Sequence, residues 1–352
     1  MSQQRKKPSQ TILNEPIIDL RSDTVTRPCT NMMQAMQDAE MGDDVYGEDP
    51  TVNQLQSKVA KISGHEDALF FPSGTQSNLV ALLTHCNRAD EYIVAQTAHT
   101  YKYEGGGAAA LGGIQPQPME RNLDGTLDLE RIQNLIKEDD FHFAKTRLVA
   151  LENTTTDGMA ISADYCQEMR NLCDRNGLAL HLDGARIFNA ATELKVDVTE
   201  LTRHFDSVSI CLSKGLGAPI GSILTGSYTF INNARRWRKV VGGGMRQAGI
   251  IAAAGIYALD HNISRLSQDH ANAQYLATML SGFDDLSIEF GGARTNMVFF
   301  RLKNGNHDEF SNYAESKGVL FTGRDPIRLV THKDLTKSDI DLALERLSGY
   351  FA

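Results

Sequence analysis

Four segments of the sequence carry residues whose types suit a common chemistry. Pro72-Ser73-Gly74-Thr75-Gln76-Ser77-Asn78 follows an apolar run and opens an apolar helical pattern. Small residues there let the backbone approach an anion, while first-turn amides and the Ser and Thr hydroxyls supply donors, so the segment suits a phosphate. Capping by Ser73 or Thr75 is the plainer alternative. The run 178–182 ends in Asp183-Gly184-Ala185-Arg186. Alone, that Asp reads first as a helix cap with a surface ion pair to Arg186. The run 207–212 ends in Ser213-Lys214-Gly215-Leu216-Gly217-Ala218-Pro219. A lysine in a Gly-rich loop is ordinarily solvated. Behind an apolar run its amine would reach the ligand edge of a sheet, where desolvation can make a lysine nucleophilic. The fourth segment, Gln96-Thr97-Ala98-His99-Thr100-Tyr101, supplies an imidazole.

A phosphate cup, a carboxylate and a lysine are together what pyridoxal 5'-phosphate requires. The cup takes the phosphate, the acid keeps the pyridine nitrogen protonated as an electron sink, and the amine holds the aldehyde as a Schiff base. His99 could stack on the ring. Competing motifs fail: the sequence has no G-x-x-x-x-G-K-[ST], no H-E-x-x-H and no G-x-S-x-G. Gly215-x-Gly217 is followed by Gly221 and contains Pro219, so the dinucleotide fingerprint is absent too.

These segments need a scaffold, and the chain is long enough for one. With 352 residues, 41% hydrophobic content and a net charge of -9, the sequence excludes disorder, collagen and coiled coil, and disfavours nucleic acid as a partner. Five scattered cysteines without C-x-x-C argue against a disulfide framework or a zinc site and for a reducing, cytoplasmic compartment; no metal is expected. Residues 1–16 are polar, with Arg5, Lys6 and Lys7 but no following apolar stretch, and are expected to form a loose tail rather than a signal. The longest apolar run, 250–259, is too short for a bilayer, so no membrane role is expected.

Apolar runs alternate with helical patterns, as in a parallel sheet covered by helices, so the fold class is α/β. Strands are expected at 68–71, 91–95, 148–152, 178–183, 207–212 and 222–224. Helices are expected at 51–63, stopped by Gly64, and at 164–176, capped by Ser162 and ended by Gly177. A long helical pattern then runs from Arg246 to about Leu280. Beyond it come strands at 286–290, 297–301 and 327–330 with helices at 308–317 and 337–350, a smaller C-terminal α+β unit. The expected division is a tail over 1–16, a large cofactor-binding domain over 17–260 and a small domain over 261–352.

From Ile18 to the final helix the sequence resembles the low-specificity L-threonine aldolases, of the aspartate aminotransferase-like (fold type I) class of pyridoxal-phosphate enzymes. The resemblance is carried by Asp19-Leu20-Arg21-Ser22-Asp23-Thr24-Val25-Thr26, Gly42-Asp43-Asp44-Val45-Tyr46-Gly47, Ser73-Gly74-Thr75-Gln76-Ser77-Asn78, His181-Leu182-Asp183-Gly184-Ala185-Arg186, Leu212-Ser213-Lys214-Gly215-Leu216-Gly217, Gly242-Gly243-Gly244-Met245-Arg246-Gln247 and Arg328-Leu329-Val330-Thr331-His332. It implies Lys214 as the Schiff-base lysine, Asp183 as partner of the pyridine nitrogen, and His99 as the stacked imidazole. It implies Gly74 and Thr75 at the phosphate, with Arg246 reaching that phosphate from a neighbouring subunit, and a homotetramer with sites shared across an interface. Ser22, Arg186 and Arg328 are implied to hold the substrate carboxylate, and a planar, bidentate clamp would fix which Cα bond stands perpendicular to the ring.

The implied reaction is retro-aldol cleavage of L-threonine, L-allo-threonine and related β-hydroxy-α-amino acids to glycine and an aldehyde. It needs a base of near-neutral pKa for the β-hydroxyl proton, for which His99, His142 and a phosphate-bound water are the candidates. Where many members of the family carry a His after Glu-Asn-Thr, this sequence continues Glu152-Asn153-Thr154 with Thr155. A hydroxyl there is smaller and not basic, so side-chain or threo-versus-erythro preference is expected to differ. A β-eliminating lyase on the same cofactor is the near rival, and a non-catalytic pyridoxal-phosphate protein the distant one.

Overall fold

The computed structural model describes residues 16–351. The expected tail over 1–16 lies, apart from its last position, outside the described residues. In chain order the strands are β1 Ile18–Asp19, β2 Asp67–Phe71, β3 Asp90–Ala95, β4 Gln115–Met119, β5 Lys145–Glu152, β6 Ala179–Asp183, β7 Ser207–Cys211, β8 Ser222–Gly226, β9 Leu286–Ile288, β10 Met297–Leu302, β11 Val319–Leu320, β12 Thr322–Gly323 and β13 Ile327–Val330.

Seven strands make one sheet in the order β2-β8-β7-β6-β5-β3-β4. Neighbours from β7 to β4 are parallel, and only β8 runs antiparallel to the strands beside it, β2 and β7. The six strands expected here all form. Their near-continuous apolar sequences follow from cover on both faces; every residue of β7 and β8 is buried. β4 was not anticipated because it contains Pro116 and Pro118. It pairs only with β3, and an edge strand tolerates residues that cannot donate to a second neighbour.

The two clearest helices are positioned by their ends. In Ala163–Asn176 the Ser162 hydroxyl accepts from the Tyr165 amide, and Gly177 closes the helix at φ 62°, in the left-handed region. Pro50–Ser63 stops at Gly64, φ 71°. The single long helix expected over 246–280 is corrected to two, Gly249–His261 and Leu266–Leu280. The interruption lets one apolar pattern serve two cores. Asn262, in the break, donates from its side chain to the Leu216 carbonyl at 2.7 Å, tying the turn to the loop after Lys214. Gly255 packs so closely that a Cβ would lie 2.8 Å from Leu212 Cδ1.

The first core lies around the large sheet and includes Leu266. The second joins Ala273, Leu276 and Leu280 to an antiparallel sheet of order β12-β13-β10-β9, with Phe300, Phe310 and Leu329 at its centre. Ile18 and Leu20 also pack in this second core, because β1 pairs in parallel with β11. The expected division at residue 260 is therefore straddled by the N-terminal strand. All five cysteines are free, four of them buried. No helix of the described residues is long and apolar enough to cross a membrane.

Candidate active site

A cavity of about 260 Å³ opens beyond the carboxyl ends of the parallel strands, and Ser73, Gly74, Thr75, His99, Asp183 and Lys214 line it. Ser73 caps the helix Gly74–His85, its hydroxyl accepting from the Gln76 amide at 3.2 Å. The positive end of that helix thus begins in the cavity wall. Beside it, the Ser222 hydroxyl is buried without a partner, 3.4 Å from where a Cβ on residue 74 would stand.

Asp183 ends β6 and is buried. Its Oδ1 accepts from the Ala185 amide at 3.1 Å and its Oδ2 from Asn78 Nδ2 at 2.9 Å. Asn78 Nδ2 also donates to Glu104 Oε1 at 2.9 Å, and that same oxygen meets His99 Nδ1 at 2.8 Å. The bond to Glu104, outweighing burial, raises the imidazole above its usual pKa; burial raises Glu104 in turn. Lys214 follows β7, half-buried, and among the described residues its amine makes no hydrogen bond or ion pair. Glu152 ends β5 alongside Asp183. Burial, reinforced by the Asp183 charge, pushes its pKa up to about 7, although the Thr156 hydroxyl and amide donate to it.

A second group meets near this cavity. Arg186 Nε and Nη2 donate to the buried carboxylate of Asp23 at 2.8 and 2.6 Å. Burial opposes ionisation of Asp23, but Arg186, with a contribution from Lys214, holds its pKa down to about 2. Arg186 is therefore not the free fork that the sequence suggested: an internal carboxylate occupies two of its donors. Arg328 is less committed. Its Nε is buried without a partner, and Nη2 donates to the Arg21 carbonyl at 3.2 Å. Ser22 caps the turn Asp23–Val25, its Oγ accepting from the Thr24 amide at 3.2 Å.

Ser22, Arg186 and Arg328 thus meet beside the cavity without lining it, and two further expected residues do not line it either. His142 is 66% exposed and bound to Asp140 at 2.6 Å, and Arg246 is 58% exposed and paired with Asp43 at 2.9 Å. Thr155, in place of the family's His, gives its hydroxyl to Asp157 Oδ1 at 2.6 Å, a carboxylate shared with Arg121 and Arg294. Asn78, Glu104 and Glu152 were not singled out from the sequence. Asn78 lay within the phosphate segment and Glu152 at a strand end, so both were open to the same reading; Glu104 lay in a loop with no pattern.

Pyridoxal phosphate fits this donor set. The orphaned Ser222 hydroxyl and the helix start suit a phosphate, Asp183 has acceptor capacity left for a ring N–H, and the Lys214 amine is uncommitted. A strand-edge cavity of this composition on a mainly parallel, helix-covered sheet defines a fold type I pyridoxal-phosphate enzyme.

Residues 19–303 match the beta-eliminating lyase family. The chain is 51% identical over 326 residues to the low specificity L-threonine aldolase of Escherichia coli (strain K12), covering 92% of this chain and 96% of that one. It is 41% identical to low-specificity L-threonine aldolase 1 of Arabidopsis thaliana, covering 93% and 94%. In fold it is similar to the threonine aldolase of Leishmania major, with a TM-score of 0.81, 20% identity and coverage of 95% and 100%. A serine palmitoyltransferase of Sphingomonas wittichii has the same fold at a TM-score of 0.77, 15% identity and coverage of 98% and 92%. The chain belongs to the beta-eliminating lyase family and, within it, to the threonine aldolases, which are pyridoxal-phosphate enzymes.

Proposed function

We propose that the protein cleaves L-threonine, L-allo-threonine and related β-hydroxy-α-amino acids to glycine and an aldehyde. The observation that carries this reading is the pairing, in one cavity, of an uncommitted Lys214 amine with the buried Asp183 carboxylate. When bound, the cofactor supplies an electron sink conjugated to the substrate Cα.

Lys214 would hold the cofactor through its uncommitted amine. Asp183 would hold the ring nitrogen in its protonated form, and Ser73, Gly74, Thr75 and Ser222 would cradle the phosphate. Arg328, whose Nε lacks a partner, receives the substrate carboxylate beside Ser22, while Arg186, pinned by Asp23, lends charge and any donor Asp23 leaves free. His99 is the base: with Nδ1 committed to Glu104, Nε2 is the end left to take the β-hydroxyl proton. Exposure and pairing to Asp140 count against His142. The exposed Arg246 guanidinium serves a neighbour's phosphate in a homotetramer, and the unpaired cysteines fit a cytoplasmic setting.

Product analysis tests the reading. Glycine and acetaldehyde from threonine support it, whereas ammonia and a keto acid would establish the β-elimination suggested by the broader family description.

A further inference from the structure

A file of buried polar groups runs from Asp183 through the sheet to its opposite edge. Asn78 Nδ2 donates to Asp183 Oδ2, and Asn78 Oδ1 faces His181 Nε2 at 3.3 Å. His181, fully buried, places Nδ1 2.8 Å from the Ser207 hydroxyl, and that oxygen stands 2.7 Å from His85 Nε2. His85 lines a separate cavity of about 620 Å³ at the amino end of β6.

The direction of every hydrogen bond in this file follows from its first member. Two carboxylates, Asp183 and Glu104, both accept from one end of Asn78, so that end is the NH2 and the other is the carbonyl. The carbonyl needs a donor, so His181 carries its proton on Nε2. Burial, with a further push from His85, drives the His181 pKa down to about 3, so the ring is neutral and Nδ1 is bare. Nδ1 therefore accepts the Ser207 proton, and Ser207 accepts from His85 Nε2–H.

Without the Asn78 amide, two carboxylates whose ligand atoms lie within 4.8 Å of each other and of His99 Nδ1 would have no neutral donor between them. Flipping the amide would aim a carbonyl at both. We infer that His181 and Ser207 are positioning residues which lock the Asn78 amide as a double donor, and so hold Asp183 toward the cofactor nitrogen and Glu104 toward His99. This rests on the cofactor assignment above for Asp183, but the bond directions stand without it.

Two measurements on the full-length protein test the inference. Ring 15N shifts of His181 should show the Nε2–H tautomer; an Nδ1–H tautomer overturns the proposal whether or not cofactor binds. His181→Phe, which removes the donor and keeps an aromatic ring, should weaken pyridoxal phosphate binding to the apo protein by about tenfold, the cost of misaligning one charge-assisted bond. His181→Gln, which restores an N–H, should recover most of that loss. Ser207→Ala, which keeps the histidine but frees its tautomer, should fall between the two. Equal affinity in Phe and Gln variants, each folded by circular dichroism, would reduce His181 to a packing role and overturn the proposal. A wild-type protein that takes up no pyridoxal phosphate would instead refute the cofactor reading, leaving the tautomer to decide the directions.

Discussion

Glu152 and Asp183 are register partners at the carboxyl ends of the adjacent parallel strands β5 and β6, and of the two acids Asp183 lines the site cavity while Glu152 is enclosed beside it. Asp183 receives an amide and a side-chain N–H, whereas Glu152 is enclosed near that charge and its pKa rises to about 7. An acid raised in this way by burial beside a second carboxylate is typical of sites that handle protons.

A pH dependence follows. Glu152 holds its proton more tightly folded than unfolded, so over the range between the ordinary glutamate value and about 7 the folded state binds more protons and wild-type stability declines as pH rises. Glu152→Gln removes this term. Denaturant titrations of the apo protein should show the variant gaining on wild type as pH climbs from the ordinary glutamate value to about 7 and levelling off above it; parallel curves would refute the raised pKa.

The Asp23–Arg186 pair titrates in the opposite sense. Asp23 is depressed to about 2, so its contribution is complete above the ordinary aspartate value and fades as pH falls toward about 2. Asp23→Ala should destabilise the fold by about 3–5 kcal/mol, because it leaves Arg186 buried with its charge uncompensated. In whatever folds, KM for threonine should rise, since the guanidinium loses its anchor. Thermal unfolding and steady-state kinetics check both parts.

Much of this site was legible because strand ends in an α/β sheet announce themselves. The run ending at Asp183 is apolar, terminates in a charged residue and is followed by glycine; Lys214 repeats the pattern. The helix ends at Gly64 and Gly177 were legible for a similarly local reason, a left-handed residue that only glycine adopts at low cost. What escaped depends on the third dimension. Glu104 acquires its role only when the chain turns it back onto His99, and the break at 262–265 carries no proline or glycine to mark it. The Asp23 carboxylate that occupies Arg186 comes from 163 residues away, so no spacing could reveal it.

Removing the Lys214 amine should abolish the borohydride-trapped cofactor adduct while leaving non-covalent binding through the phosphate cup. Lys214→Ala is thus expected to bind pyridoxal phosphate reversibly and to lose cleavage activity. Mass spectrometry of the reduced wild type should place the adduct on residue 214; an adduct on another lysine would refute the assignment.

Asp183→Ala takes away the carboxylate proposed to face the ring nitrogen and should lower kcat by about 10²–10³, the scale of losing one preorganised electrostatic contact. Asn78 then keeps only Glu104 as acceptor, so the absorbance of the bound cofactor should change as well. Unaltered turnover would exclude Asp183 from that role.

Arg246 offers the sharpest test of a shared site. It does not line its own chain's cavity, and its pairing with Asp43 is exposed enough that screening leaves it worth little to the fold. Arg246→Ala should therefore leave stability nearly unchanged and weaken cofactor binding if the guanidinium reaches a neighbour's phosphate. Mixing Arg246→Ala and Lys214→Ala chains then puts one intact site at some interfaces, built from the lysine of one chain and the arginine of the other. Activity in the mixture, where each variant alone has little, is the expected outcome. A mixture no more active than its parts would return the arginine to its own subunit and remove the case for shared sites.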